Sequence, residues 1–239
     1  MFPLRDTVRS RTFPVINYSL IAVNALIFLI EAALGPQGFI NLLDILGLVP
    51  AKVSLAQPLN VVTLFTSMFL HGSWFHLISN MWTLYIFGDN VEDRMGSVRY
   101  LVFYLFAGVV SGLTHIVVTN TVYGIDSPLA RIPTVGASGA IAGVLGAYFI
   151  LYPRSRVITL VPIFILPWFV EIPAFIYLGF WFFSQLSSGL LSLGSYGVFG
   201  GIAWWAHIGG FMVGLLLVKV FSRRPRTYEY WYPDEYWPW

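Results

Sequence analysis

The sequence predicts an all-α membrane protein with six transmembrane helices and with both termini in the cytoplasm. Three observations lead to this prediction: the composition, the number of long apolar runs, and the one-sided distribution of basic residues. Of 239 residues, 57% are hydrophobic and only 10% are charged, and the mean hydropathy is +0.75. Soluble domains carry about a quarter charged residues, so the composition indicates a protein that sits in a bilayer.

Six apolar runs can cross the hydrocarbon core of a bilayer, which takes about 20 helical residues. They cover residues 15–34, 71–87, 100–119, 136–152, 172–188 and 202–221. Residues 35–70 form a long connection whose apolar end we expect in or on the membrane. Pro162 and Pro167 interrupt the apolar stretch before the fifth span, so residues 157–171 predict an irregular or dipping segment.

The basic residues set the orientation. With six spans, the N-terminus, the second-to-third link, the fourth-to-fifth link and the tail share one side, which holds 11 of the 13 Lys and Arg residues. Lys52 and Arg131 lie on the other side. The positive-inside rule therefore places both termini in the cytoplasm. The expected domains are a short basic N-terminus (1–14), a six-helix membrane domain (15–221) and a cytoplasmic tail (222–239).

A serine stands at the start of the glycine-rich fourth span. Pro133 and Gly136 predict a tight turn before it, and a helix start leaves several backbone N–H groups without intrahelical partners. These donors and the positive end of the helix dipole can stabilise an oxyanion that forms beside Ser138. From this stretch alone, a small-residue packing helix with an incidental serine is the alternative.

Other spans bring polar side chains to the same depth as Ser138. His207 lies about five residues into the sixth span, and His76 and Asn80 lie in the outer part of the second. All three spans run from outside to inside, so these side chains are expected a few residues below the outer surface. Ionisable groups within spans are costly and tend to mark function.

The chemistry that fits these residues is nucleophilic catalysis. Serine becomes a nucleophile when a neighbouring base takes its proton, and a neutral His207 can be that base. No acidic residue lies at matching depth in the outer halves of these three spans, so the sequence predicts a dyad rather than a triad. His76 and Asn80 are one helical turn apart and can donate to an oxyanion together with the Ser138 N–H.

Glycines predict how the two helices meet. In the fourth span, the helix face beside Ser138 carries Gly139, Gly143 and Gly146. In the sixth span, the face of His207 carries Gly210 and Gly214. Glycine faces let helix backbones approach closely, so we expect them, with Gly136 in the turn, to pack at the site and bring His207 to Ser138.

These residues resemble the rhomboid intramembrane serine proteases. The motifs, in order on spans two, four and six, are His71-x4-His76-x3-Asn80, Gly136-x-Ser138-Gly139 and Ala206-His207-x2-Gly210-x3-Gly214, and Glu92-x-Arg94 matches the family's cytoplasmic link. The resemblance covers nearly the whole chain and implies a rhomboid-like six-helix bundle. It implies a Ser138–His207 dyad that cleaves peptide bonds in or next to transmembrane segments of membrane proteins.

The resemblance also implies the surroundings of the dyad. His76 and Asn80 line the oxyanion site, His71 is structural, and water enters from the outer face beneath a loop at 192–201. We therefore expect a multi-pass protein of the cell membrane whose active site opens to the extracytoplasmic side. Its expected partners are transmembrane protein substrates and the lipid bilayer.

Two positions depart from the family pattern. A Trp-Arg pair that some bacterial members carry in the first long loop is absent, with Val62-Thr63 roughly in its place. Ala142 stands where some members have a tyrosine that stacks on the catalytic histidine. Trp204 and Trp205 are the aromatic candidates near His207.

Three other functions compete with proteolysis. His71, His76 and His207 could be metal ligands, but an HExxH pattern and a carboxylate at helical spacing are missing. A non-enzymatic rhomboid relative would lack the serine or the histidine. A transporter is disfavoured by the few charges within spans and by the lack of an obvious repeat. No metal or cofactor is expected, and a net charge of +2 gives no reason to expect nucleic acid.

Overall fold

The computed structural model describes residues 2–53, 58–163, 166–194 and 203–223. The helices are α1 (Val15–Ala33), α2 (Gly35–Leu46), α3 (Pro58–Val61), α4 (Thr63–Thr66), α5 (Trp74–Met95), α6 (Ser97–Tyr123), α7 (Ser138–Leu151), α8 (Ala174–Leu193) and α9 (Trp204–Phe221). Short 3₁₀ turns lie at Pro50–Lys52, Ser67–Phe69 and Pro128–Arg131. Most of the loop expected at 192–201, and the tail beyond residue 223, lie outside the described residues.

Within that described part, α1, α6, α8 and α9 are long and apolar enough to cross a membrane. The remaining two expected spans differ from this pattern. α7 is apolar but has 14 residues, which gives it about 21 Å of length against a hydrocarbon core of about 30 Å. α5 extends beyond the apolar run at 71–87 and takes in the polar sequence that ends at Met95.

A three-stranded antiparallel sheet corrects the expectation of an all-α chain. The strands are β1 (Phe2–Asp6), β2 (Arg156–Ile163) and β3 (Leu166–Pro173), with β2 in the middle. Residues 157–171 were expected to form an irregular or dipping segment because of their prolines. The expected irregularity was wrong, because most of these residues lie in β2 and β3, where Pro162 pairs with Pro167. The prolines therefore stand one pair from the ends of β2 and β3, where they disturb few ladder hydrogen bonds.

α7 is the centre of the bundle. It packs against α5, α6, α8 and α9, and every residue from 139 to 148 is buried. Large apolar side chains instead cover the outer faces of the surrounding helices; Leu26 on α1, Val117 on α6 and Leu216 on α9 are each more than half exposed. A buried inner helix and apolar outer faces are what a bilayer requires of a helical bundle.

The buried carboxylate of Glu92 ties three helices together. Its oxygens accept hydrogen bonds from the backbone N–H of Ile16 at 3.1 Å and of Asn17 at 2.7 Å, and from the hydroxyl of Ser97 at 2.6 Å. α1 has no side-chain cap of its own, so a residue of α5 satisfies the free donors at its N-terminus. This explains why the polar sequence at the end of α5 remains helical and packed.

A polar cluster holds β1 against the end of α7 that lies away from Ser138. The carboxylate of Asp6 accepts hydrogen bonds from the Tyr148 hydroxyl and from Nδ2 of Asn90, and the Tyr148 hydroxyl also contacts Oγ of Ser155 at 3.0 Å. Removal from water raises the pKa of Asp6 to about 7, although the hydrogen bond from Tyr148 opposes the rise.

Candidate active site

Ser138 and His207 meet although 69 residues separate them. Nε2 of His207 lies 2.8 Å from Oγ of Ser138. Ser138 is the first residue of α7, and His207 lies in the first turn of α9. Both side chains are half-buried and line the same cavity. A hydroxyl and an imidazole nitrogen at this distance can exchange a proton.

Close contact between α7 and α9 sets this distance. A Cβ built on Gly210 would overlap the carbonyl oxygen of Gly139, and one built on Gly214 would lie 2.6 Å from the backbone nitrogen of Ala147. Gly146 is equally tight against the backbone of α9 at Phe211. The two backbones therefore touch without intervening side chains.

Two glycines of α7 also pack against a second helix, α6, and the sequence analysis did not predict this contact. A Cβ on Gly139 would overlap Oγ of Ser111, and one on Gly143 would lie 2.5 Å from Cβ of Ala107 and 3.3 Å from the carbonyl oxygen of Gly210. Ser111 and Ala107 belong to α6. The glycine face of α7 is thus shared between α6 and α9, and Ser138 is held from both sides.

The turn before α7 brings His76 and Asn80 to the serine. Gly136 has φ = +126°, a backbone conformation that residues other than glycine rarely adopt. A Cβ there would also lie 2.7 Å from Nε2 of His76 and 3.6 Å from Nδ2 of Asn80. Ser73 caps α5 by accepting the backbone N–H of His76, which fixes the first turn of that helix.

Asn80 has an unused donor inside the site. The residue is 7% exposed, and among the described residues its Nδ2 has no hydrogen-bond partner. It lines the cavity together with His76, Ser138 and His207, and the cavity measures about 530 Å³. A buried amide donor without a partner can bind a negatively charged oxygen that the free protein does not contain.

α8 supplies two neighbours of His207 that sequence reasoning missed. Oε1 of Gln185 lies 2.8 Å from Nδ1 of His207, and the Trp181 ring centroid lies 6.0 Å from the imidazole centroid at an angle of 35°. Of the two expected tryptophans, Trp204 is edge-on to His207 at 6.4 Å, and Trp205 lines the cavity. A polar residue inside the apolar fifth span was a usable signal for Gln185.

The other two histidines in the region, His71 and His115, contact residues other than Ser138 and His207. His71 is fully buried, and its ring packs edge-on to that of His76 at 5.1 Å. His115 on α6 contacts Oγ1 of Thr134 at 3.0 Å, in the segment that leads to α7. In the part of the chain that the structure describes, no three His, Cys, Asp or Glu side chains are grouped to hold a metal ion.

Comparisons with known proteins agree with the motifs. Residues 58–224 match the rhomboid domain. Over 148 residues the chain is 32% identical to the presenilin-associated rhomboid-like protein, mitochondrial, of Rattus norvegicus, a match that covers 61% of this chain and 35% of the relative. It is 27% identical over 159 residues to rhomboid protein 1, mitochondrial, of Saccharomyces cerevisiae, with 65% and 40% covered.

A plant relative extends the comparison. Rhomboid-like protein 11, chloroplastic, of Arabidopsis thaliana is 32% identical over 170 residues, which cover 67% of this chain and 52% of the relative. The matches thus span between 35% and 52% of the length of these three relatives. Because the matched domain covers more than half of this chain, the resemblance of its motifs is confirmed, and the chain belongs to the rhomboid family.

Proposed function

We propose that this protein is an intramembrane serine endopeptidase that cleaves peptide bonds in or next to transmembrane segments of membrane proteins. Rhomboid proteins are generally intramembrane proteases. The observation that carries the proposal is the 2.8 Å contact between Oγ of Ser138 and Nε2 of His207 at the start of α7. A nucleophile, its base and free backbone donors stand together there, which is the arrangement of acyl-transfer enzymes.

In the first step, Oγ of Ser138 attacks the carbonyl carbon of the scissile bond, and its proton moves to Nε2 of His207. The carbonyl oxygen becomes an oxyanion, which the Ser138 N–H, Nδ2 of Asn80 and the ring of His76 stabilise. His207 then gives its proton to the leaving amine, and the C–N bond breaks. Water enters next and loses a proton to His207 as it attacks the acyl-enzyme. The ester C–O bond then breaks, His207 returns the proton to Oγ of Ser138, and the new C-terminus leaves as a carboxylic acid that ionises in water.

We further propose that α5 and α7 complete a six-span bundle with α1, α6, α8 and α9. The distribution of Lys and Arg supports cytoplasmic termini and a site that opens to the extracytoplasmic side. The domain division at residues 14 and 221 follows from the same arrangement. The names of the three relatives refer to mitochondria and chloroplasts, so they give no support to the expected cell membrane. We propose residence in a bilayer without assigning the compartment.

The decisive experiment measures cleavage of single-span test proteins by the purified protein in liposomes. Ser138→Ala and His207→Ala should each remove nearly all cleavage, and the double variant should be no worse, since residues that act as one unit are not additive. Ser19→Ala, on the exposed side of α1, is the matched control and should cleave normally. A fluorophosphonate should label Ser138. Substantial cleavage by Ser138→Ala would exclude a serine protease.

A further inference from the structure

We propose that Gln185 is a positioning residue that fixes the ring of His207 in the tautomer that can accept the Ser138 proton. Gln185 lies on α8 and is 7% exposed. Its Oε1 lies 2.8 Å from Nδ1 of His207. The proposal rests on the proposed function, because it assigns a role in the same site, and it adds a third member to the pair.

The orientation of the Gln185 amide follows from its other contacts. Nε2 donates to Oγ of Ser184 at 3.0 Å and to the carbonyl oxygen of Trp181 at 3.4 Å. The Ser184 hydroxyl donates its own proton to that carbonyl at 2.6 Å, so its oxygen is free to accept from Gln185. The reversed amide would place Oε1 against the carbonyl oxygen of Trp181, two acceptors without a proton between them. Oε1 therefore faces His207.

The amide oxygen determines which imidazole nitrogen carries the proton. Oε1 can only accept, so Nδ1 of His207 must be protonated to bond with it. In a neutral ring Nε2 then has a free lone pair, and this atom faces the Ser138 hydroxyl at 2.8 Å. An unrestrained histidine side chain in water favours the opposite tautomer, with the proton on Nε2. That form cannot take a proton from Ser138, so the hydrogen bond to Gln185 selects the reactive one.

The same bond assists the charged state of the reaction. When His207 has taken the proton, Nδ1–H becomes a stronger donor, and Oε1 of Gln185 is already aligned with it. In the described part of the chain, the titratable groups that interact electrostatically with His207 are two other histidines, His76 and His115. The amide thus orients the ring and accepts a hydrogen bond from Nδ1–H without placing a permanent charge beside it in the membrane.

The test combines kinetics with a direct view of the tautomer. Gln185→Met keeps the length of the side chain and removes the acceptor, Gln185→Glu keeps an acceptor, and Gln37→Met makes the same change at an exposed position of α2. The chain has four histidines, so ¹⁵N-histidine labelling gives four pairs of ring signals, and His207→Ala identifies the pair of interest.

We expect the wild-type spectrum to show His207 protonated on Nδ1 and unprotonated on Nε2. In Gln185→Met the population should shift towards Nε2–H, and kcat should fall about tenfold with little change in KM, as for loss of one hydrogen bond. Gln185→Glu should keep the wild-type tautomer, because its carboxylate still accepts from Nδ1–H, and Gln37→Met should leave both the tautomer and kcat unchanged.

A wild-type His207 that carries its proton on Nε2 would overturn the inference, and this result, once the signals of His207 are assigned, does not depend on how any Gln185 variant folds. So would a folded Gln185→Met protein with wild-type kcat and tautomer. The proposed function fails separately: if Ser138→Ala still cleaves, the serine mechanism is wrong whatever the tautomer of His207. If Ser138→Ala is inactive and the tautomer is Nε2–H, only the role of Gln185 is wrong.

Discussion

Gly210→Ala tests whether backbone contact between α7 and α9 sets the distance from His207 to Ser138. The added Cβ would overlap the carbonyl oxygen of Gly139 and lie 3.3 Å from Cβ of Ala142. Both neighbours are parts of a buried helix, so neither a side-chain rotation nor a small local shift relieves the overlap. The helices must separate by about 1 Å or more at this level to restore ordinary contact.

The separation would also move His207 away from Ser138, because His207 lies one turn before Gly210 on the same helix. A shift of about 1 Å would lengthen the Nε2–Oγ distance from 2.8 Å to about 3.8 Å, beyond hydrogen-bond reach. A misplacement of this size costs about 100-fold in rate. Gly210→Leu should be more severe still, and both variants should unfold at lower temperature because close backbone contact holds helices together in lipid.

The assay is kcat/KM for a single-span substrate in liposomes, measured below the unfolding temperature of each variant, together with the rate of fluorophosphonate labelling. Gly179→Ala is the matched control: a Cβ there meets only Cε2 of Phe149 at 3.8 Å, an ordinary contact. It should retain wild-type activity and stability. If Gly210→Ala were as active and as stable as wild type, the backbone contact would not govern the catalytic distance.

Three further changes test other parts of the molecule. Asn80→Ala should remove up to about 3 kcal/mol of transition-state stabilisation, which lowers kcat with little change in KM. An unchanged kcat would show that Asn80 is not part of the oxyanion site. Asp6 has a pKa raised to about 7, so the folded state binds its proton more tightly than the unfolded state and wild-type stability should fall as pH rises from about 4 to 7. Asp6→Asn should reduce this pH dependence, measured as melting temperature in detergent; parallel curves would contradict it. EDTA should leave cleavage unchanged, and inhibition that zinc reverses would revive the metal hypothesis.

The positions of the long apolar helices follow from local sequence. The run at 15–34 corresponds to Val15–Ala33, and the run at 202–221 to Trp204–Phe221, because the length and polarity of a run limit where a membrane helix can begin and end. The contact between Ser138 and His207 was also predictable, since the glycines beside the two residues restrict which helix faces can touch.

Features that depend on distant partners were not predictable in this way. The end of α5 has a polar sequence, yet Glu92 is buried there because the N-terminus of α1 needs acceptors. β2 pairs with β1 across about 150 residues of chain, and its prolines suggested a break rather than a hairpin. Gln185 is one polar residue in an apolar span, and the sequence of α8 does not determine which face of that helix is turned towards His207.

The contact between α7 and α9 also has a consequence for how the protein is made. Ser138 leaves the ribosome 69 residues before His207, a delay of roughly 3 to 14 s at ordinary rates of synthesis. During that interval the glycine face of α7 has no partner from α9, and α7 is too short to settle across a bilayer unaided. On the proposed mechanism, Ser138 meets its base only when α9 inserts beside it, so a half-synthesised chain would lack the pair that cleaves peptide bonds.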